Sequence, residues 1–115
     1  MIDRSKKLSA FFYETPNGTQ PVRIWIKGLS PKDRQLVGRD MQKVEFGWPI
    51  GMPYCGSLGN KLWEVRSGLT DGKIGRVIFC VIGVDMILLH GFIKKTQKTP
   101  ARDNELALKR MKEVE

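Results

Sequence analysis

Residues 62–95 read LWEVRSGLTDGKIGRVIFCVIGVDMILLHGFIKK, and this stretch decides the fold. It holds three apolar, β-branched runs in which every second residue shares a face, namely Leu62 to Arg66, Ile74 to Ile82 and Met86 to Lys95. Only short segments rich in glycine, serine and aspartate separate the runs. Because loops this short join antiparallel neighbours, the sequence predicts a three-stranded meander.

The residues before the meander predict one strand and two helices. Leu8 to Glu14 is a short apolar run that ends at a proline, asparagine and glycine turn signal, so it predicts an opening strand. Between Thr19 and Gly28 the apolar residues recur at helical spacing, which predicts a first helix. Ser30 and Pro31 are typical of the N-cap and first turn of a second helix, which we expect to end at Gly47.

The remaining segments complete the predicted topology. Prolines and glycines are dense from Trp48 to Gly59, which predicts a long loop or a linker between two halves of one domain. Thr99 and Pro100 predict the N-cap and first turn of a closing helix. The order strand, two helices, three strands and helix is typical of the α+β class. We expect one domain, 1–115, with an antiparallel sheet of about four strands and all the helices packed on one face.

The composition is that of a basic globular protein. Of 115 residues, 41% are apolar, and 20 Lys+Arg against 12 Asp+Glu give a formal charge of +8. Such a balance favours polyanionic partners, namely nucleic acid, an acidic protein segment or an anionic membrane.

Several classes of protein are excluded by the same sequence. No apolar run approaches the roughly 18 residues that span a bilayer, and no cleavage site follows the basic N-terminus. We therefore expect a cytoplasmic protein without a membrane partner. Cys55, Cys80 and a single histidine cannot form a zinc site unless carboxylates help, so we expect buried thiols, no metal and no cofactor.

Half of the net charge lies near the end of the meander. Residues 86–102 hold Lys94, Lys95, Lys98 and Arg102 and no acidic residue, so their formal charge is +4. Because a like-charge cluster repels itself and is not needed for folding, it favours an anionic partner. A solvated strand end followed by a lysine-rich loop is the alternative.

Two arginines lie inside the apolar runs, Arg66 in the first and Arg76 in the second. An unpaired guanidinium is expensive to bury, so each arginine should either meet an acid or open onto a groove. An ion pair with Glu64 is the structural interpretation. The functional interpretation is a basic surface on which both arginines and Lys94 or Lys95 grip a phosphodiester.

The third run carries two further candidates. His90 is surrounded by apolar residues, where a half-buried, hydrogen-bonded histidine is more usual than a general base. Phe92 could stack on a nucleic-acid base or belong to the core. Together with Lys61, Lys98 and Arg102, these two residues form the further candidate set for contacts with a nucleic acid.

Three pieces of the sequence carry a family resemblance: KLWEVR at 61–66, GRVIF at 75–79 and HGFIKKTQKTP at 90–100. The last piece is a specific signal, and the other two occur in the correct order and spacing. From Leu58 to Glu115 the chain resembles the RelE/HigB-type toxins of type II toxin-antitoxin systems, and within them the phage-derived HigB-like branch.

The resemblance implies a metal-independent endoribonuclease that cuts messenger RNA, usually in the ribosomal A site, and so blocks translation. The 2′-hydroxyl of the substrate would attack the adjacent phosphate and leave a 2′,3′-cyclic phosphate and a 5′-hydroxyl. Arg76 would stabilise the phosphate, and Arg66 with Lys94 or Lys95 would clamp it or transfer protons. Several relatives place a tyrosine in the closing helix, whereas no tyrosine follows Tyr54 here.

The same resemblance implies the partners: messenger RNA, the ribosome and a helix-turn-helix antitoxin, with operator DNA reached only through the antitoxin complex. Two other interpretations remain open. The chain could be a non-catalytic RNA-binding module or degenerate toxin, or a phage accessory protein that uses this fold for protein contacts.

Overall fold

Five strands form one sheet in the computed structural model, which describes residues 6–51, 55–94 and 100–115. The strands are β1 (Ser9–Phe12), β2 (Cys55–Gly59), β3 (Leu62–Gly68), β4 (Ile74–Ile82) and β5 (Asp85–Lys94). The helices are α1 (Pro21–Lys27), α2 (Pro31–Gly47) and α3 (Ala101–Val114), with one short 3-10 turn at Thr70–Gly72. The order of strands across the sheet is β1-β5-β4-β3-β2. The α+β class is therefore confirmed.

The predicted meander is present as β3, β4 and β5, which pair antiparallel. In β5 one residue is inserted, because Phe79 of β4 pairs with Leu88 while Ile78 pairs with His90. This bulge brings Leu89 and His90 to the same side of the sheet. There Leu89 is buried near α3, and His90 contacts Asp103 of that helix.

The sheet is antiparallel, as predicted, except at one edge, where β1 runs parallel to β5, with Ser9 opposite Asp85. Parallel neighbours need a long crossover connection, which the rest of the chain supplies. The C-terminal turn of α2 holds β1 in place. The Glu45 side chain accepts a hydrogen bond from the Ala10 N–H at 2.9 Å and forms an ion pair with Lys6 at 3.2 Å.

The stretch 48–59 is not a loop throughout, as was predicted from its glycines. Cys55–Gly59 forms β2 and pairs with β3, with Cys55 opposite Val65. An edge strand needs hydrogen bonds along one side only, so it tolerates small residues, and a bulge follows Ser57. Left-handed φ angles at Gly59, Asn60 and Lys61 then turn the chain into β3.

The helices lie on both faces of the sheet, so the expectation that they pack on one face was wrong. Val22 of α1 and Val37 of α2 are buried against the odd-numbered residues of β4, such as Phe79. Ala107 and Met111 of α3 are buried against the even-numbered ones, such as Ile78 and Cys80. Because β4 is apolar on both sides, a single covering layer would leave half of it in water. We refer to the two sides as the α1–α2 face and the α3 face.

The predicted start of α2 is confirmed. Ser30 caps this helix by accepting a hydrogen bond from the N–H of Asp33 at 3.2 Å, and Pro31 occupies the first turn. At α3 the cap position is held by Pro100 rather than by Thr99, without a side-chain cap bond, and Thr99 lies outside the described residues.

Candidate functional site

Three cationic side chains come together on the α3 face of the sheet. Arg66 of β3 lies directly opposite Arg76 of β4, and Arg76 lies opposite Phe92 of β5. Lys94 pairs with Ile74, two residues from Arg76, and shares its face because side chains alternate along a strand. We call Arg66, Arg76 and Lys94 the basic cluster.

Glu64 lies in the middle of the basic cluster and is fully buried, with 0% exposure. Its Oε1 accepts a hydrogen bond from Nε of Arg66 at 3.1 Å and another from Nη1 of Arg76. The expected ion pair of Glu64 therefore forms with both arginines at once. Three cationic side chains and one carboxylate give the group a formal net charge of about +2.

The cations of the cluster differ in exposure. The side chain of Arg66 is 31% exposed and that of Arg76 is 9% exposed, and Lys94 is buried. Nε of Arg76 is buried and has no hydrogen-bond partner among the described residues. A buried donor left without a partner costs free energy, so an incoming acceptor at this position would be favoured.

Burial also changes the acidity of these groups. It lowers the pKa of Arg76, and the negative charge of Glu64 opposes that effect. The pKa of Lys94 is lowered first by burial and then by the charge of Arg76, while Glu64 again acts in the opposite direction. A lysine with a lowered pKa has a larger neutral fraction and can accept a proton.

His90 and Phe92 form a stacked pair beside the basic cluster. Their ring centroids lie 5.4 Å apart at an interplanar angle of 20°. His90 is half-buried, and its Nε2 lies 2.6 Å from Oδ1 of Asp103 in the first turn of α3. The hydrogen-bonded interpretation of His90 is therefore the one that the structure favours, and Phe92 is partly buried on the α3 side of the core.

Other predicted site residues are not part of this group. Lys61 lies at the other end of β3, roughly 16 Å of extended chain from Arg66, and pairs with Glu115 at 3.8 Å. Arg102 is exposed in the first turn of α3. Lys95 and Lys98 lie outside the described residues.

The contacts that hold α3 on the sheet were not predicted. The hydroxyl of Tyr13 hydrogen-bonds to Glu113, and the guanidinium of Arg110 lies 5.4 Å from the centre of the Tyr13 ring. Nη1 of Arg110 also donates to the carbonyl oxygen of Leu89 at 2.8 Å, at the bulge of β5. These partners are up to a hundred residues apart, so no local pattern could have revealed them.

The two cysteines are buried free thiols, as predicted. Cys55 lies on the α1–α2 face and Cys80 on the α3 face, and burial raises the pKa of each to about 11. In the described segments, no group of His, Cys, Asp and Glu side chains is arranged to hold a metal ion. None of the helices in these segments is long and apolar enough to cross a membrane.

A comparison with protein families matches most of the chain. The family described as "Phage derived protein Gp49-like (DUF891)" matches residues 24–112. The chain belongs to this family. The Gp49-like family belongs to the RelE/HigB-like toxin family, so the resemblance found in the sequence is confirmed at that level. The matched residues of the Gp49-like protein include the whole basic cluster but not β1. No curated protein matches the chain.

Proposed function

We propose that this Gp49-like protein is a toxin of the HigB-like branch, formed by one domain, 1–115, that cuts messenger RNA. The observation that carries the proposal is the basic cluster, in which a buried carboxylate holds two arginines side by side with a lysine nearby. Guanidinium groups suit phosphate because their N–H donors match its oxygens in pairs. Membership in a toxin family makes RNA the expected source of that phosphate.

The proposed reaction uses the 2′-hydroxyl of the RNA as nucleophile. Its oxygen forms a bond to the adjacent phosphorus, the bond to the 5′-oxygen breaks, and a 2′,3′-cyclic phosphate results. Arg66 and Arg76 stabilise the negative charge that develops on the phosphorane oxygens. Lys94 accepts the proton of the 2′-hydroxyl, because its lowered pKa makes the neutral amine accessible. Water supplies the proton that the leaving 5′-oxygen requires.

The stacked pair of His90 and Phe92 has a separate role in this proposal. Phe92 lies directly opposite Arg76 and is partly exposed, so a base next to the reacting phosphate can stack on its ring. His90 is held by Asp103 and supports the stack rather than taking part in proton transfer. Lys61, Lys95, Lys98 and Arg102 are proposed to contact the RNA backbone outside the cluster.

Toxin-family membership also implies an antitoxin partner. We propose that this antitoxin is a helix-turn-helix protein and that only its complex with the toxin reaches operator DNA. We further propose that cleavage takes place on the ribosome, where the messenger RNA is presented.

The proposal is tested by induced expression followed by mapping of RNA ends. The wild type should arrest growth and produce RNA fragments whose 5′ ends carry a hydroxyl and need a kinase for labelling. Arg76→Ala should abolish both effects, whereas Arg23→Ala, which removes an exposed arginine of α1, should leave them unchanged. Absence of new RNA ends in the wild type would contradict the nuclease proposal.

A non-catalytic RNA-binding module is the second candidate, and one observation favours it. Both arginines already have an acidic partner, and Arg76 and Lys94 are largely buried. In that case the wild type would arrest growth and retain ribosomes without new RNA ends.

A further inference from the structure

Glu64 is the one buried acid that both arginines of the basic cluster share. It is 0% exposed, and a carboxylate would repel a phosphate, so Glu64 is not a substrate contact. Its role must therefore be exerted through the residues that it holds.

The hydrogen bonds of Glu64 determine which donors of the two arginines remain for a ligand. Arg66 uses Nε, so both terminal Nη groups of this partly exposed side chain are left. Arg76 uses Nη1 for Glu64, which leaves Nη2 and Nε, and Nε is the buried donor without a partner in the described residues. Because one oxygen of Glu64 accepts both bonds, the guanidinium groups of Arg66 and Arg76 lie next to each other.

We propose that Glu64 is a positioning residue, which fixes the guanidinium groups of Arg66 and Arg76 so that one phosphate group meets both of them together. This inference rests on the proposed function, because it names what organises that same site.

Backbone pairing alone would not produce this arrangement. Like charges directly opposite each other on neighbouring strands repel, and arginine side chains have many rotamers. Without the carboxylate, Arg66 and Arg76 would turn away from each other, and Arg66 would turn into water. When both side chains are ordered before the substrate binds, the entropic cost of ordering them does not add to the activation barrier of the reaction.

The alternative is that Glu64 only neutralises buried charge and so stabilises the fold. The charge of Glu64 also raises the pKa of Lys94 against burial and Arg76, so its removal should move the pH dependence of cleavage to lower pH under either role. The two roles differ in the turnover of folded molecules. A positioning role predicts a lower turnover number at a nearly unchanged KM, whereas a purely structural role predicts the wild-type turnover number.

The test compares Glu64→Gln with wild type in cleavage of messenger RNA on purified ribosomes, with rates expressed per folded molecule. We expect the turnover number to fall about 100-fold while KM changes by less than about threefold, because the lost contacts act in the transition state. We also expect the rising limb of the pH–rate profile to shift to lower pH. Unchanged turnover in a folded variant would overturn the proposal.

Glu45→Gln is the matched control. Glu45 is also a buried glutamate with a cationic partner, Lys6, but it belongs to α2 on the other face of the sheet. This variant should lose stability but keep the wild-type turnover number and pH profile. If both glutamine variants lose turnover equally, Glu64 is structural only.

Glu64→Asp keeps the test decisive should the glutamine variant not fold. The charge remains, but the side chain is shorter by one methylene, so it cannot reach both arginines in the same way. Turnover should fall about 10-fold or more, and the pH profile should stay in place because the charge remains. Wild-type turnover in the aspartate variant would overturn the proposal.

Side-chain NMR separates this inference from the proposed function. The Nε–H signal of Arg66 and the Nη1–H signal of Arg76 report the contacts with Glu64 directly, and they should lose their protection from exchange in Glu64→Gln. Inorganic phosphate should perturb both signals together in wild type and not in the variant. If wild type cuts no RNA, the nuclease proposal fails while these signals still decide whether Glu64 positions the arginines; unchanged signals would overturn the inference alone.

Discussion

Nε2 of His90 lies 2.6 Å from Oδ1 of Asp103, and this contact joins the strand that carries Lys94 to the first turn of α3. A carboxylate can only accept, so Nε2 carries the proton. The bulge in β5 makes the contact possible, because it turns His90 toward α3.

Loss of this contact should loosen the start of α3. We expect Asp103→Ala to lower the free energy of unfolding by about 1 kcal/mol, since both side chains are partly exposed. Amide hydrogen exchange should become faster in the first two turns of α3. Glu105→Ala removes an exposed acid of the same helix and should change neither quantity. Unaltered hydrogen exchange in Asp103→Ala would show that apolar packing alone holds the N-terminal end of α3 on the sheet.

Cleavage should depend on pH through Lys94. The pKa of this residue lies below its usual 10.5, so the neutral amine gains population as the pH rises toward that pKa. The single-turnover rate should therefore increase with pH below the pKa and level off above it. The guanidinium introduced by Lys94→Arg cannot lose its proton. We therefore expect a rate that is about 100-fold lower and has no rising limb in its pH profile. Lys27→Arg, on the exposed side of α1, serves as control, and a rising limb that persists in Lys94→Arg would exclude Lys94 as proton acceptor.

Stability at acidic pH should depend on Asp33. The hydrogen bond from the backbone N–H of Thr70, at 2.9 Å, is the main reason that the pKa of Asp33 lies below 3.8. The hydroxyl of Thr70 and the ammonium of Lys73 add to it, whereas burial opposes it. Because the pKa is lower in the folded state, the contribution is present above pH 3.8 and is lost as the pH falls through the folded-state pKa.

Denaturant unfolding at several pH values tests this dependence. Asp33→Asn should be less stable than wild type at neutral pH, and the difference should shrink below pH 3.8. Asp40→Asn, which removes a surface ion pair with Lys43 at 3.4 Å, should differ little from wild type at any pH. A constant difference between Asp33→Asn and wild type across the range would show that ionisation of Asp33 is not involved.

Gly91 should not tolerate a side chain. A Cβ at this position would lie 2.5 Å from Cε3 of Trp25, whose ring packs against Gly91 from α1. We expect Gly91→Ala to lower the free energy of unfolding by about 1–3 kcal/mol through overpacking. Gly38→Ala has open space around it in the middle of α2, and it should raise stability by about 0.5–1 kcal/mol. Thermal unfolding of both variants checks the pair, and equal stability of Gly91→Ala and wild type would mean that Trp25 moves aside without cost.

Most of the elements could be predicted from the sequence because their signals are local. The alternation of β3 to β5, the short loops between them and the cap of α2 by Ser30 all depend on neighbouring residues. The strand Cys55–Gly59 escaped prediction because its glycines are those of a loop, and only pairing with β3 makes it a strand. The position of α3 could not be predicted for a similar reason. The apolar stripe of a helix predicts that the stripe is buried, but it does not indicate which face of the sheet the helix covers.

For the candidate site, the sequence by itself determined the ingredients: Arg66 and Arg76 in neighbouring strands, Glu64 two residues before Arg66, and a basic segment at the end of β5. It could not decide between an ion pair and a phosphate-binding surface, because that depends on strand register. Tertiary structure decided that Glu64 meets both arginines and that Lys94 lies on their face.

The distribution of charge over the surface was also decided only in three dimensions. In α2 the sequence alternates acids and bases, yet the fold turns Asp33 and Glu45 inward to hold Thr70 and Ala10 and leaves the lysines and arginines exposed. The physical reason is that burial of a carboxylate requires donors from distant segments, and only the folded chain brings them there. The sequence therefore determined that the protein is basic, and the tertiary structure determined where that charge can act.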